Sequence, residues 1–160
     1  MSPINRYARQ ISAIILSNKR VGQYHQLLIN IEDLAQYAKP GNFVAISVGG
    51  DNSSLILRRA FAISRVSHRA DYGGTMELIV APHGAGSRWL CAQEEGATLD
   101  VVAPLGTAFG IPTTPVQTLL IGGGYGSAPL FGLAEVLKAR GCRVDMILWR
   151  EYFVENLCST

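Results

Sequence analysis

The chain has 160 residues, 48% of them hydrophobic and 16% charged, with a formal net charge of +2. That length suits one domain, or one domain and part of another, and the composition lies far from a disordered profile. The scattered basic residues make no electrostatic case for nucleic acid, and the apolar run Ala13-Ile14-Ile15-Leu16 is a strand's worth, not a membrane span.

The start of the chain lacks the long apolar stretch of a signal peptide, so the expected location is the cytoplasm. Cys91, Cys142 and Cys158 are widely spaced and show no Cys-x-x-Cys pairing. They read as reduced, mostly structural thiols, too few to hold an iron–sulfur cluster alone.

In chain order, residues 9–102 read as short strands separated by turns. Residues 11–16 are β-rich, and 24–31 alternate, with Leu27, Ile29 and Ile31 on one face. Lys39-Pro40-Gly41-Asn42 is a turn, residues 43–48 are apolar and β-branched, and 49–54 form a polar loop. A strand over 55–66, a turn at Asp71-Tyr72-Gly73-Gly74, and strands over 76–80 and 99–102 complete the set. Strands and turns at this spacing, with at most one short helix, predict a closed antiparallel Greek-key β-barrel.

Inside 55–66 lies Arg58-Arg59-Ala60-Phe61-Ala62-Ile63-Ser64, with two guanidiniums at its entrance. Arg59 and Phe61 are two apart and project from one face of a strand. A fork of donors beside a flat ring suits a ligand with a phosphate at one end and a planar heterocycle at the other. A barrel strand with a buried Phe and solvated arginines fits the same residues.

Pro82-His83-Gly84-Ala85-Gly86-Ser87-Arg88-Trp89-Leu90 breaks the strand pattern. The unpaired N–H groups of a first helical turn favour an anion, and Gly84 and Gly86 admit one close to the backbone. Ser87 is either a helix cap or a phosphate ligand, and an ordinary capped glycine turn is equally compatible. His83 reads as a loop histidine, since no His or carboxylate stands at metal-binding spacing from it.

The stretch 103–110 is rich in Pro and Gly, and Ile111-Pro112-Thr113-Thr114-Pro115 is a proline-punctuated linker. The domain boundary is expected there, giving 1–112 and 113–160. Residues 117–121 form an apolar strand, followed by the glycine turn Gly122-Gly123-Gly124-Tyr125-Gly126-Ser127-Ala128-Pro129. Leu130, Leu133, Ala134 and Leu137 stand at helical spacing, with Pro129 at the start and Gly141 as a stop. Residues 143–149 form a second apolar strand. This β–loop–α–β order is the first half of a dinucleotide-binding sheet, although Ser127 occupies the sixth position of the strict glycine fingerprint. Asp145, mid-strand, is a poor candidate for the ribose contact. A glycine-rich turn used only for packing is the alternative, and four glycines in five residues favour nucleotide binding.

Taken together, the chain resembles the ferredoxin–NADP reductase superfamily over nearly its whole length. Arg59-Ala60-Phe61-Ala62 resembles that family's flavin motif, Gly84-Ala85-Gly86-Ser87 its flavin pyrophosphate loop, and the stretch from Gly122 to Pro129 its nicotinamide pyrophosphate loop. Within the superfamily it resembles the electron-transfer subunits of NAD-linked dihydroorotate dehydrogenases, in Arg58-Arg59, Lys39-Pro40-Gly41, and Pro104-Leu105-Gly106 with Phe109.

The resemblance implies a flavin barrel holding FAD. Arg59 would bind its phosphate, Phe61 would pack on the flavin, and Gly86 and Ser87 would contact the pyrophosphate. Gly122, Gly123, Gly124 and Gly126 would face NAD. It further implies a catalytic dihydroorotate dehydrogenase subunit as partner in a hetero-oligomer, with electrons passing to NAD in pyrimidine biosynthesis. Flavin carries this chemistry itself, and His25, His68 and His83 show no partner pattern, so no catalytic residue is expected.

Departures from the pattern bear on these expectations. Ala60 replaces a usual Pro. Ala62 replaces a usual Ser, whose place Ser64 could take on the same face. Ala103 replaces a common Gly, and Tyr125 stands where a smaller aliphatic residue is usual and could screen or stack on the nicotinamide. The chain stops after one β–α–β unit, which leaves uncovered strand faces and edges. The expectation is a fragment, a truncated gene product or a chain completed by a partner. Its NAD pocket is incomplete and the cysteines of the family's 2Fe–2S centre are absent. Alternatives are another ferredoxin or flavin reductase subunit, or a non-catalytic module that has lost electron transfer.

Overall fold

Alternation organises the first half of the molecule. In the computed structural model, which describes residues 7–50, 53–69 and 73–149, Leu27, Ile29 and Ile31 are all fully buried. Six strands are formed: β1 (Arg9–Val21), β2 (Tyr24–Asn30), β3 (Phe43–Ile46), β4 (Arg59–Arg69), β5 (Gly73–Val80) and β6 (Thr98–Leu105). They close into a barrel in the order β1-β2-β5-β4-β3-β6, every pairing antiparallel. The consecutive strands β3, β4 and β5 are neighbours and β6 returns beside β3, which is the expected Greek key. Ile15, Val44, Ile46, Ile63, Met76, Leu78, Leu99 and Val101 fill the interior.

Two strand limits differ from the sequence reading. β1 runs on to Val21, because its polar second half pairs with β2 while its first half pairs with β6. β4 begins only at Arg59, so residues 55–58 form an irregular approach. Of the turn expected at Asp71-Tyr72-Gly73-Gly74, Asp71 and Tyr72 lie outside the described residues and both glycines belong to β5.

Among the described residues, besides a 3₁₀ helix over Glu32–Gln36 between β2 and β3, one α-helix interrupts the barrel strands: α1 (Ala85–Cys91), between β5 and β6. Asn18 of β1 ties down its C-terminal end, donating from Nδ2 to Cys91 O (2.9 Å) and Gln93 O (2.7 Å). With both amide hydrogens used, Asn18 Oδ1 accepts from His25 Nδ1 (2.9 Å), which fixes a proton on that ring nitrogen.

The chain leaves the barrel between Phe109, whose N–H donates to Pro40 O, and Ile111, which packs on a second apolar cluster. That cluster belongs to a β–α–β unit: β7 (Gln117–Gly123), a 3₁₀ turn over Gly124–Ser127, α2 (Ala128–Ala139) and β8 (Arg143–Trp149). β7 and β8 are parallel, paired from Gln117↔Arg143 to Gly123↔Trp149. Pro129 opens α2, and Gly141, at φ +81°, follows its end. Leu133, Ala134 and Leu137 bury one face of the pair over Leu120, as the helical spacing requires. On the other face Leu119, Ile121, Ile147 and Trp149 are more than half exposed.

α2 also lies on the barrel. A Cβ at Gly132 would stand 2.6 Å from the Ser64 carbonyl oxygen, so only glycine permits this approach. Beside it Arg65 Nε donates to Glu135 Oε1 (2.7 Å), and the Arg65 guanidinium lies 5.5 Å from the centroid of the Phe131 ring. Among the described residues no helix is long and apolar enough to cross a membrane.

Candidate functional site

The two arginines at the entrance of β4 part company: Arg58 ends the irregular approach and Arg59 opens the strand. Arg58 reaches β6, where its guanidinium donates to Asp100 O (3.0 Å) and Asp100 Oδ2 (2.5 Å). The Arg58 hydrogen bond holds the Asp100 carboxyl below the usual aspartate range, with burial opposing and Gln10 assisting. Arg59 projects away from this pair and over the loop before α1. There a Cβ on Gly86 would come 3.1 Å from Arg59 Cγ. Arg59, whose Nη1 donates to Leu57 O (2.9 Å), lines the candidate site; Arg58 does not and is structural.

That site is a cavity of about 460 Å³ where β4, the end of β5, the loop 83–87 and the turn after β7 converge. Arg59, Ala60, Phe61, Ala62, Gly84, Gly86 and Ser87 all line it, and Gly126 reaches it from the β–α–β unit. Ser87 shapes the loop: its Oγ accepts from Gly84 N (3.0 Å) and donates back to Gly84 O (3.2 Å). Between its two readings, cap or phosphate ligand, the hydroxyl here bonds to the loop itself. A Cβ at Gly84 or Gly126 would meet nothing within 4 Å, so the backbone is open to a ligand at both places.

The other turn glycines do not reach the cavity. A Cβ on Gly122 would lie 2.7 Å from Leu130 Cδ1 and 2.8 Å from Ser127 Cβ, and one on Gly123 would strike the Trp149 indole. Gly122 and Gly123 thus serve the packing of β7 against α2 and β8, while Gly124 takes φ +54° to start the 3₁₀ turn. Ser64 does not stand in for a hydroxyl at Ala62. It lies at a register irregularity between Ile63 and Arg65, is 2% exposed, does not line the cavity, and donates to Glu77 Oε1.

Leu55, Ile79 and Ala81 also line the cavity and were missed as site residues, while His83, read as a loop histidine, and Tyr125, read as a residue that could screen or stack on the nicotinamide, line it too. Ile79 carried a usable signal: Met76, Leu78 and Val80 alternate into the core, so Ile79 must face outward. Tyr125 rests its ring on His83, centroids 5.5 Å apart.

Phosphate and planar-ring chemistry fit this donor set: a guanidinium, a glycine loop open to close approach, and an aromatic side chain on one wall. A 2Fe–2S centre does not fit the described residues. Cys91 and Cys142 are buried in the two separate apolar clusters, Cys158 lies outside the described residues, and no group of His, Cys, Asp and Glu suited to a metal occurs among those described. Burial also pushes the Cys91 thiol up, away from the thiolate a metal needs.

No family model matches the chain. It is 31% identical over 138 residues to the electron transfer subunit of dihydroorotate dehydrogenase B (NAD(+)) from Enterococcus faecalis, covering 85% of this chain and 51% of that protein. It is 32% identical over 126 residues to the same subunit from Bacillus caldolyticus, covering 78% and 48%. The chain thus spans about half the length of the curated relatives it matches. Among solved structures, an NADH-dependent reduced ferredoxin–NADP oxidoreductase superposes with a TM-score of 0.75 at 25% identity, covering 88% of this chain and 49% of that one. Sequence kinship to the first two proteins and shared architecture with the third agree: the chain has a ferredoxin–NADP reductase-like flavin-barrel fold and is similar in sequence to electron transfer subunits of dihydroorotate dehydrogenase B.

Proposed function

We propose that this chain is the flavin-binding part of an electron-transfer subunit that carries electrons from dihydroorotate oxidation through FAD to NAD, serving pyrimidine biosynthesis in the cytoplasm. The observation that carries the reading is the meeting of Arg59, Phe61, Gly84, Gly86, Ser87 and Gly126 at one cavity. Residues 1–112 act as the FAD domain and residues 113–160 as part of an NAD domain; the separate apolar clusters support this division.

Bound FAD would supply both one-electron and hydride chemistry. The chain's own residues bind and orient. Arg59 offers its guanidinium to a phosphate, the open backbone from Gly84 to Ser87 receives the pyrophosphate, and Phe61 packs on the planar ring. Gly122, Gly123 and Gly124 shape the turn that brings Gly126 to the cavity for the nicotinamide side. The partner is a catalytic dihydroorotate dehydrogenase subunit in a hetero-oligomer, a reading supported by the relatives' being named electron transfer subunits of dihydroorotate dehydrogenase B.

A second reading is a non-catalytic module that keeps the barrel without flavin. It is favoured by Ala62, which offers no hydroxyl, and by Ser64, which is turned to Glu77. Adding FAD to the purified chain separates the two. A retained yellow chromophore with a two-banded visible spectrum is expected, and a colourless protein that ignores FAD would favour the module. Co-purification with a dihydroorotate-oxidising subunit, tested in the native complex, checks the partner.

A further inference from the structure

Tyr125 and His83 come from distant parts of the chain. His83 sits in the loop between β5 and α1, and Tyr125 in the 3₁₀ turn between β7 and α2. Ser127 Oγ donates to Gly124 O (2.7 Å) across that turn and holds Tyr125 outward, 52% exposed. The two rings meet with centroids 5.5 Å apart and planes tilted by 54°, a geometry in the attractive range for aromatic pairs. Both line the cavity that Phe61 lines from the barrel side. Their chain neighbours Gly84 and Gly126 leave the adjoining space open. Neither ring belongs to an apolar cluster, so packing of the core does not account for the pair.

We propose that Tyr125, braced by His83, is the second aromatic wall of the cavity and lies against the planar heteroaromatic ring of the ligand seated there. The inference rests on the flavin reading of the cavity and extends it to the contact between Tyr125 and His83, which no motif announced. The ring enters between surface supplied by the barrel and surface supplied by the β–α–β unit. The Tyr125–His83 contact holds those two surfaces together at the cavity mouth.

Flavin emission tests this directly, because a phenol in contact with an excited isoalloxazine quenches it by electron transfer and a phenyl ring does so far less. The full chain and its variants are titrated with FAD, and emission is compared at equal bound flavin. Tyr125→Phe is expected to raise emission several-fold while leaving affinity nearly unchanged. Tyr125→Ala is expected to raise emission and also weaken FAD binding several-fold. His83→Ala should raise emission part of the way, and His83→Phe, which keeps a ring under Tyr125, should restore it. Unchanged emission per bound flavin in both Tyr125 variants overturns the inference while leaving the flavin reading intact. Failure of the unaltered chain to take up FAD overturns the flavin reading itself, and this inference with it.

Discussion

Gly86 shows how little room one residue at this site has. A methyl group there would stand 2.9 Å from Val48 Cγ2 and 3.1 Å from Arg59 Cγ, one neighbour in the core and the other in the cavity wall. Gly86→Ala is therefore expected to cost about 1–3 kcal/mol by overpacking and to displace Arg59. Both effects are measurable, as a lower melting temperature and weaker FAD uptake. Arg59→Ala should separate them. It removes a charge-assisted bond worth about 1.5–3 kcal/mol to a phosphate, roughly 10- to 100-fold in affinity, and leaves the barrel core untouched. Flavin titration should fall while the melting temperature stays close to that of the parent. Arg58 belongs to folding instead. Because the folded Asp100 pKa is depressed, the Arg58–Asp100 pair stabilises the fold above the ordinary aspartate value of about 4 and loses that contribution as pH falls through the folded value. The pair is partly solvated, so the effect is small. Asp100→Asn is expected to flatten the acid limb of a melting-temperature profile below about pH 4.

Elements meet here through a few polar or absent side chains. α2 rests on β4 only because Gly132 has no Cβ to collide with the Ser64 carbonyl. Gly132→Val should lift α2 from the barrel, cost about 1–3 kcal/mol, and open the linker around residues 110–116. Faster proteolytic cleavage there than in the parent is the measurement. Asn18 holds the carbonyls of Cys91, at the end of α1, and of Gln93 just beyond it, and so fixes that helix. Removing its two bonds by Asn18→Ala is expected to cost about 1–3 kcal/mol in chemical denaturation.

Over the whole molecule, burial is uneven. The barrel closes on itself and leaves no free edge, whereas β7 and β8 are covered on one face only among the described residues. Leu119, Ile121, Ile147 and Trp149 form a contiguous apolar surface of the kind that associates at high concentration. The double substitution Leu119→Lys and Ile147→Lys should reduce concentration-dependent self-association in sedimentation velocity. It should leave FAD uptake unchanged, because neither residue lines the cavity.

The amino-acid order alone determined what depends on local periodicity. Leu27, Ile29 and Ile31 announced a barrel strand, the spacing of Leu130, Leu133, Ala134 and Leu137 announced α2, and Arg59, Phe61 and the glycines at 84 and 86 stood out as candidate ligand residues. These were legible because side-chain period and backbone freedom are properties of neighbours in sequence. The tertiary structure alone decided which candidates meet. It sent Arg58 to Asp100, turned Ser64 to Glu77, committed Gly122 and Gly123 to packing, and brought His83 and Tyr125 together from a loop and a turn far apart in the chain. Such outcomes depend on strand register and on the close approach of elements far apart in the chain, and a slip of one residue reverses which face a side chain takes. No local pattern encodes that choice; the closure of the barrel and the seating of α2 upon it impose it.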